Sequence, residues 1–144
     1  MAIIREILDR KGTSVLTTTS QASVLDAISS MSDANVGAIV IQDGDQPTGI
    51  FTERDYLRKI ALEGRSSSDT AVTEVMSSPL ITVAPSDPIQ GAMGVMTERR
   101  CRHLVVIDDE KMVGIVSLGD LVKHMLIEKE AEVGQLSSYI SGNY

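Results

Sequence analysis

The feature that most constrains this chain is that it repeats itself. Shifted by 65 positions, residues 17–61 fall on 82–126 without a gap. Identities stand at Thr17/Thr82, Ala27/Ala92, Met31/Met96, Val40/Val105, Asp43/Asp108, Gly49/Gly114, Ile50/Ile115 and Asp55/Asp120. The apolar positions between them match too, as in Val24/Ile89, Ile28/Met93, Ile39/Leu104, Ile41/Val106 and Phe51/Val116. Eight identities in 45 pairs carry little alone; with the shared apolar pattern they define two copies of one unit. Upstream, Ile4-Arg5-Glu6-Ile7-Leu8 resembles Val72-Thr73-Glu74-Val75-Met76 at an offset of 68, so the first lead-in carries three extra residues around Lys11-Gly12. Gly64–Asp69 has linker composition.

Each unit reads as β-α-β-β-α. In the second, Leu80–Val83 is a short lead strand, and Ser86-Asp87-Pro88 supplies an N-cap and a proline at the first helical turn. Ile89, Ala92, Met93 and Met96 follow at i, i+3, i+4 and i+7, the spacing of an amphipathic helix. Leu104–Ile107 and Val113–Val116 are strands joined by the polar turn Asp108–Lys111. A second helix starts after Ser117, with Leu121, Val122, Met125 and Leu126 on one face. A half-sheet of about 50 residues buries little surface by itself. The expected fold is therefore α/β, with two units packed sheet to sheet about a pseudo-twofold axis. The expected boundaries are 1–65 and 71–131, followed by a C-terminal helical extension or tail over 132–144.

Composition narrows the function classes. The chain has 144 residues, 42% of them apolar, with 3% aromatics and no Trp, so Ile, Val, Leu, Ala and seven Met must build the core. A net charge of −7 argues against affinity for nucleic acid or an anionic membrane. The start, Met1-Ala2-Ile3-Ile4-Arg5, does not read as a secretory signal, and no apolar run reaches the roughly 18 residues of a spanning helix. The single Cys cannot form an internal disulfide, and a cytoplasmic location is expected.

After the third strand of each unit stand Gly49-Ile50-Phe51-Thr52-Glu53-Arg54-Asp55 and Gly114-Ile115-Val116-Ser117-Leu118-Gly119-Asp120. The shared pattern is Gly-apolar-apolar-Ser/Thr-x-x-Asp at a strand-to-helix junction. With Thr82-Val83-Ala84-Pro85 and Arg102-His103-Leu104-Val105-Val106-Ile107-Asp108, it resembles the cystathionine-β-synthase (CBS) domain pair, or Bateman module, up to about residue 131. The resemblance implies a regulatory module that binds an adenosine-containing ligand between the repeats, senses energy or redox state, and catalyses nothing. AMP is the first candidate, then ATP, ADP or NAD(H). It also implies a homodimer that acts on an unidentified protein target.

The chemistry of the motif fits that role. A carboxylate in a first helical turn has two acceptor oxygens, which suit the vicinal hydroxyls of a ribose; this assigns Asp55 and Asp120 to ribose, with Thr52 and Ser117 beside them. The glycine is expected to let backbone approach a ligand. Thr52-x-x-Asp55 and Ser117-x-x-Asp120 are equally capping boxes in outline. In the family, basic residues at the start of the middle strand reach ligand phosphates, which points to Arg102 and His103. Arg99 and Arg100 fit a solvated helix end better. The first unit has Val36-Gly37-Ala38 in place of Cys101-Arg102-His103, so two unequal sites are expected, with Arg54 as the first unit's compensation. Thr17, Thr82 and Val83, with Val15, Leu16 and Ile81, are candidates for the adenine slot.

Competing classes are weaker on the same residues. There is no GxxxxGK[ST] loop and no HExxH, and only two His and one Cys. Cys101 among Arg100, Arg102 and His103 could be an activated thiol, although a small residue in a turn is the simpler reading. His124 reads as surface. A ligand-free interaction scaffold is the alternative function. Gly134 is a candidate break in the last helix, and Leu136, Tyr139 and Ile140 are candidate dimer contacts.

Overall fold

A computed structural model describes residues 1–141, with side chains described to residue 134. Its elements run α1 (Ile4–Lys11), β1 (Thr17–Thr18), α2 (Val24–Ala34), β2 (Ala38–Asp43), β3 (Gln46–Thr52) and α3 (Glu53–Tyr56), which continues as a π-helical turn over Leu57–Ala61. A 3-10 turn at Val72–Glu74 leads to β4 (Thr82–Val83), α4 (Ile89–Arg99), β5 (His103–Asp108), β6 (Lys111–Ser117) and α5 (Leu118–Ser141). Two three-stranded sheets result, ordered β1-β2-β3 and β4-β5-β6. In each, the short lead strand runs parallel to the middle strand and the last two strands form an antiparallel hairpin.

The strands are buried on both faces. Ile39, Ile41 and Phe51 pack under α2, and Leu104, Val106 and Val116 under α4. Val40 and Val105 alternate with them and point the other way, yet they are 0% and 1% exposed. A sheet packed against a second sheet buries residues of both parities in this way.

The repeat boundary along the chain is not the boundary in space. Ile4, Ile7 and Leu8 of α1 belong to the core of the second unit, with Ile89, Met96, Leu104 and Leu121. Val72 and Val75, which open the second repeat, belong to the core of the first, with Phe51, Ile60 and Met31. The two lead-ins are exchanged. Each crosses to the other unit and closes it.

Local chemistry explains several differences from expectation. Pro88 stands at the N-cap of α4, and no side chain caps that helix. The Asp87 carboxylate instead accepts from the Ala84 N–H at 2.8 Å, and the Ile89 N–H donates to the Ala2 carbonyl of the exchanged lead-in at 3.0 Å. Ser23 does cap α2, accepting from the Asp26 N–H at 3.0 Å. α5 runs through Gly134 to Ser141, so that glycine does not break it; a glycine costs a helix interior only about 1 kcal/mol. The contacts expected of Leu136, Tyr139 and Ile140 lie outside the described residues.

Candidate functional site

Both repeated motifs close as capping boxes. The Thr52 Oγ1 accepts from the Asp55 N–H at 3.2 Å while the Asp55 Oδ2 accepts from the Thr52 N–H at 3.1 Å. The corresponding Ser117 and Asp120 bonds measure 3.1 and 2.8 Å. The junctions are held alike from behind: the Glu53 N–H donates to the Gly37 carbonyl, and the Leu118 N–H to the Arg102 carbonyl.

The motif glycines have a different reason from the one expected. A Cβ on Gly114 would stand 2.7 Å from the Leu8 side chain, and one on Gly49 would collide with Met76. Leu8 and Met76 hold equivalent places in the two lead-ins. These glycines admit the exchanged lead-in, and no ligand is needed to account for them.

Around this symmetric frame the two carboxylates are treated differently. Asp55, 8% exposed, accepts from the Ser77 hydroxyl at 3.1 Å and pairs with Lys59 at 3.1 Å. Ser77 also exchanges backbone hydrogen bonds with Ile50. In the second unit a single ammonium makes the two donations that the Ser77 hydroxyl and amide make in the first. Lys11 Nζ lies 2.8 Å from the Asp120 carboxylate and 3.0 Å from the Ile115 carbonyl, the equivalent of Ile50. Burial opposes the charge on Asp120, but Lys11 and the Ser117 hydrogen bonds outweigh it and hold the carboxyl below its ordinary value.

A cleft of about 800 Å³ opens between the units. Thr52, Arg54 and Asp55 line it from the first unit, with Arg58 and Lys59 on the following turn. Arg99, Arg100, Arg102 and His103 line it from the second. Its apolar wall is made by Ile50, Pro79, Leu80, Ile81 and Val105. The first unit's motif thus faces the second unit's basic turn, and Arg54 reaches across to the Arg100 carbonyl at 3.5 Å. The first unit has no basic pair at Val36-Gly37-Ala38, and Arg102 and His103 of the other repeat line the cleft beside its motif.

Of the expected site residues, Thr52, Arg54, Asp55, Arg102 and His103 come together here. Ser117, Asp120, Thr17, Thr82 and Val83 do not line this cleft. Val83 is packed in the second core, and Thr17 and Thr82 are exposed on lead strands. The residues just before Thr82 take the wall position, because the chain crosses between the units at Pro79–Ile81. Local pattern does not single out Arg58, and it places Arg99 and Arg100 at a solvated helix end; only the crossing of the two units brings all three to the cleft.

Three titratable groups complete the picture. Burial pushes the His103 imidazole below its ordinary value, and the neighbouring Asp120 and Glu53 pull it the other way. Burial pushes the Cys101 thiol up, against a smaller opposing effect of Arg99, the reverse of an activated thiol. His124 is not a surface residue: it is 6% exposed, with Nδ1 2.7 Å from the Arg10 guanidinium and Nε2 3.2 Å from Glu128. Its burial follows from α1 crossing onto α5.

Residues 4–62 and 72–127 match the CBS domain model, so the chain belongs to the CBS domain family and carries the domain twice. It is 43% identical to the mitochondrial CBS domain-containing protein CBSX3 of Arabidopsis thaliana over 98% of this chain and 73% of that one. A putative signal-transduction protein with CBS domains from Burkholderia ambifaria superposes with a TM-score of 0.85 at 42% identity, covering 88% of this chain and 95% of that one. A CBS domain protein from Pyrobaculum aerophilum, solved in complex with AMP, shares the fold with a TM-score of 0.74 at 24% identity, covering 83% and 89%. The chain is a CBS-pair regulatory module. Among its described residues no helix is long and apolar enough to cross a membrane.

Proposed function

We propose that the module binds an adenosine nucleotide in the inter-repeat cleft and transmits occupancy to a partner protein, without catalysis. The observation that carries this reading is the convergence of Thr52, Arg54 and Asp55 from one repeat with Arg102 and His103 from the other. Asp55 accepts from the ribose hydroxyls, which take the place of the Ser77 hydroxyl. Arg54, Arg102 and His103 meet the phosphate, and the apolar wall at Ile50, Ile81 and Val105 stacks on adenine. A cleft of about 800 Å³ is within the usual range for a cofactor-sized ligand. The AMP held by the Pyrobaculum protein supports the same ligand class. Asp120, which does not line the cleft, is left out of this site, and one nucleotide binds per chain. The module works as a cytoplasmic homodimer, although its Arabidopsis relative is mitochondrial.

Calorimetry tests the assignment. AMP should bind with one site per chain, and saturation at 100 times the dissociation constant should add about 2.7 kcal/mol of stability. GMP should bind far more weakly. Asp55→Asn should weaken AMP by roughly ten- to a hundredfold, about 1.5–3 kcal/mol, through loss of charge-assisted ribose contacts. Asp120→Asn makes the same change in the equivalent cap and should leave affinity within about twofold. Equal affinity for GMP and AMP, or equal effects of the two variants, would refute the assignment.

A further inference from the structure

We infer that this cleft takes a nucleotide carrying two or three phosphates in preference to a monophosphate. The inference rests on the nucleotide reading above and concerns how far the phosphate chain extends. The chain as a whole is acidic, with 13 Lys and Arg against 20 Asp and Glu. The lining of this one cleft reverses that balance, holding six of the cations and two of the acids, Glu53 and Asp55. Lys59 is spoken for by Asp55. The other five, Arg54, Arg58, Arg99, Arg100 and Arg102, make no ion pair among the described residues.

Five unpaired guanidinium groups around one concavity repel one another, and a protein of net charge −7 has carboxylates to spare for pairing them. A single phosphate, with two charges, is met in full by Arg54 and Arg102. Arg58, Arg99 and Arg100 remain, on the rim supplied by both repeats. A further phosphate or two placed among them would be held by bidentate, charge-assisted hydrogen bonds, the geometry guanidinium favours.

The backbone at Arg100 makes that side chain a clean one to remove. Arg100 caps α4 with φ 53° and ψ 46°, in the left-handed region. The equivalent residue of the first repeat, Asn35, caps α2 with φ 56° and ψ 48°. Asn is among the few non-glycine residues that tolerate this conformation, and Arg is not. The repeat that faces the cleft with this turn therefore keeps a less stable residue at a position whose counterpart carries the favourable one. Replacing Arg100 by Asn therefore removes the guanidinium without a backbone cost.

The test is a calorimetric series with adenosine, AMP, ADP and ATP, on the wild-type chain and on Arg100→Asn. Affinity should rise with each phosphate, with ATP at least tenfold tighter than AMP, and the ATP advantage should shrink as salt is raised. Arg100→Asn should keep or raise the unliganded melting temperature, weaken ATP by roughly tenfold, and weaken AMP by less than about threefold. Inorganic tripolyphosphate should displace ATP. If AMP and ATP bind alike, or Arg100→Asn weakens both equally, the polyphosphate inference falls while the nucleotide reading stands. If tripolyphosphate binds as tightly as ATP and adenosine and AMP do not bind, the adenosine reading falls and the polyphosphate site stands. If none of these binds, both are overturned.

Discussion

Gly114 shows how a motif residue can have a packing reason that its spacing does not reveal. The position is occupied from outside by Leu8, itself 6% exposed and held among Ile4, Ile7 and Val116, so its branched end has nowhere to turn. Gly114→Ala should therefore destabilise the protein by about 1–3 kcal/mol, as overpacked sites do. Combining it with Leu8→Ala should cost less than the sum of the two single changes, since the shortened side chain vacates the space. Chemical denaturation of the four proteins in the cycle measures this, and strict additivity would show that Leu8 is not the obstacle. Lys11 makes a comparable point about charge. One ammonium in the extra lead-in residues does the work of Ser77's amide and hydroxyl, and so makes two like motifs unlike.

At the scale of elements, the exchanged lead-ins decide the order in which parts of the molecule depend on one another. α1 is amphipathic, with Ile4, Ile7 and Leu8 buried and Arg5, Glu6 and Asp9 exposed, and its apolar side seals a sheet whose first strand begins at Thr82. Ile7→Ala, at a site 1% exposed, should cost about 2–5 kcal/mol by cavity formation. The loss should register first in the second unit. Hydrogen exchange should show faster opening at Leu104–Val106 than at Ile39–Ile41, although Ile7 lies in the N-terminal eighth of the chain. Faster exchange at Ile39–Ile41 alone would contradict the exchanged arrangement. Strand pairing has the opposite character. β5 and β6 pair from Asp108 and Lys111 outward, across a two-residue turn at Asp109-Glu110 in which both residues have positive φ, the conformation that suits the twist of a tight hairpin.

For the molecule as a whole, the outer helices leave apolar side chains uncovered. Leu62 follows the first motif, and Val122, Met125 and Leu126 follow the second; they are between 40% and 75% exposed. Pseudo-twofold symmetry puts similar apolar surface at both ends of the chain's motif helices, which a second copy can cover in an isologous contact. Light scattering should give about twice the 15.5 kDa chain mass. Replacing Leu126 and Met125 together by Glu should return the protein to that single-chain mass with its far-ultraviolet circular dichroism unchanged. A wild-type monomer at micromolar concentration would remove the homodimer. The cleft is also a property of the whole: its charge comes from two turns that lie about 45 residues apart, Arg54–Lys59 and Arg99–His103.

The sequence by itself determined what depends on local periodicity and on duplication. The α/β class, the two hairpins, the helices α2 and α4 and the capping boxes all follow from side chains within a few residues of one another. Leu104–Ile107 falls inside β5, and Thr52 and Asp55 bond as their spacing requires. The tertiary structure alone decided which motif faces an open cleft. Lys11 reaches Asp120 across 109 positions, Arg10 reaches His124 across 114, and Arg54 meets Arg100 across 46. Those separations leave no periodic trace, because a contact between two elements depends on how their faces cross and not on the pattern within either. A perfect repeat would have folded into two equal junctions. Three residues around Lys11-Gly12 and the substitution of Arg102-His103 for Gly37-Ala38 break that equality, and their effect appears only once the lead-ins have crossed and the two sheets have closed on each other.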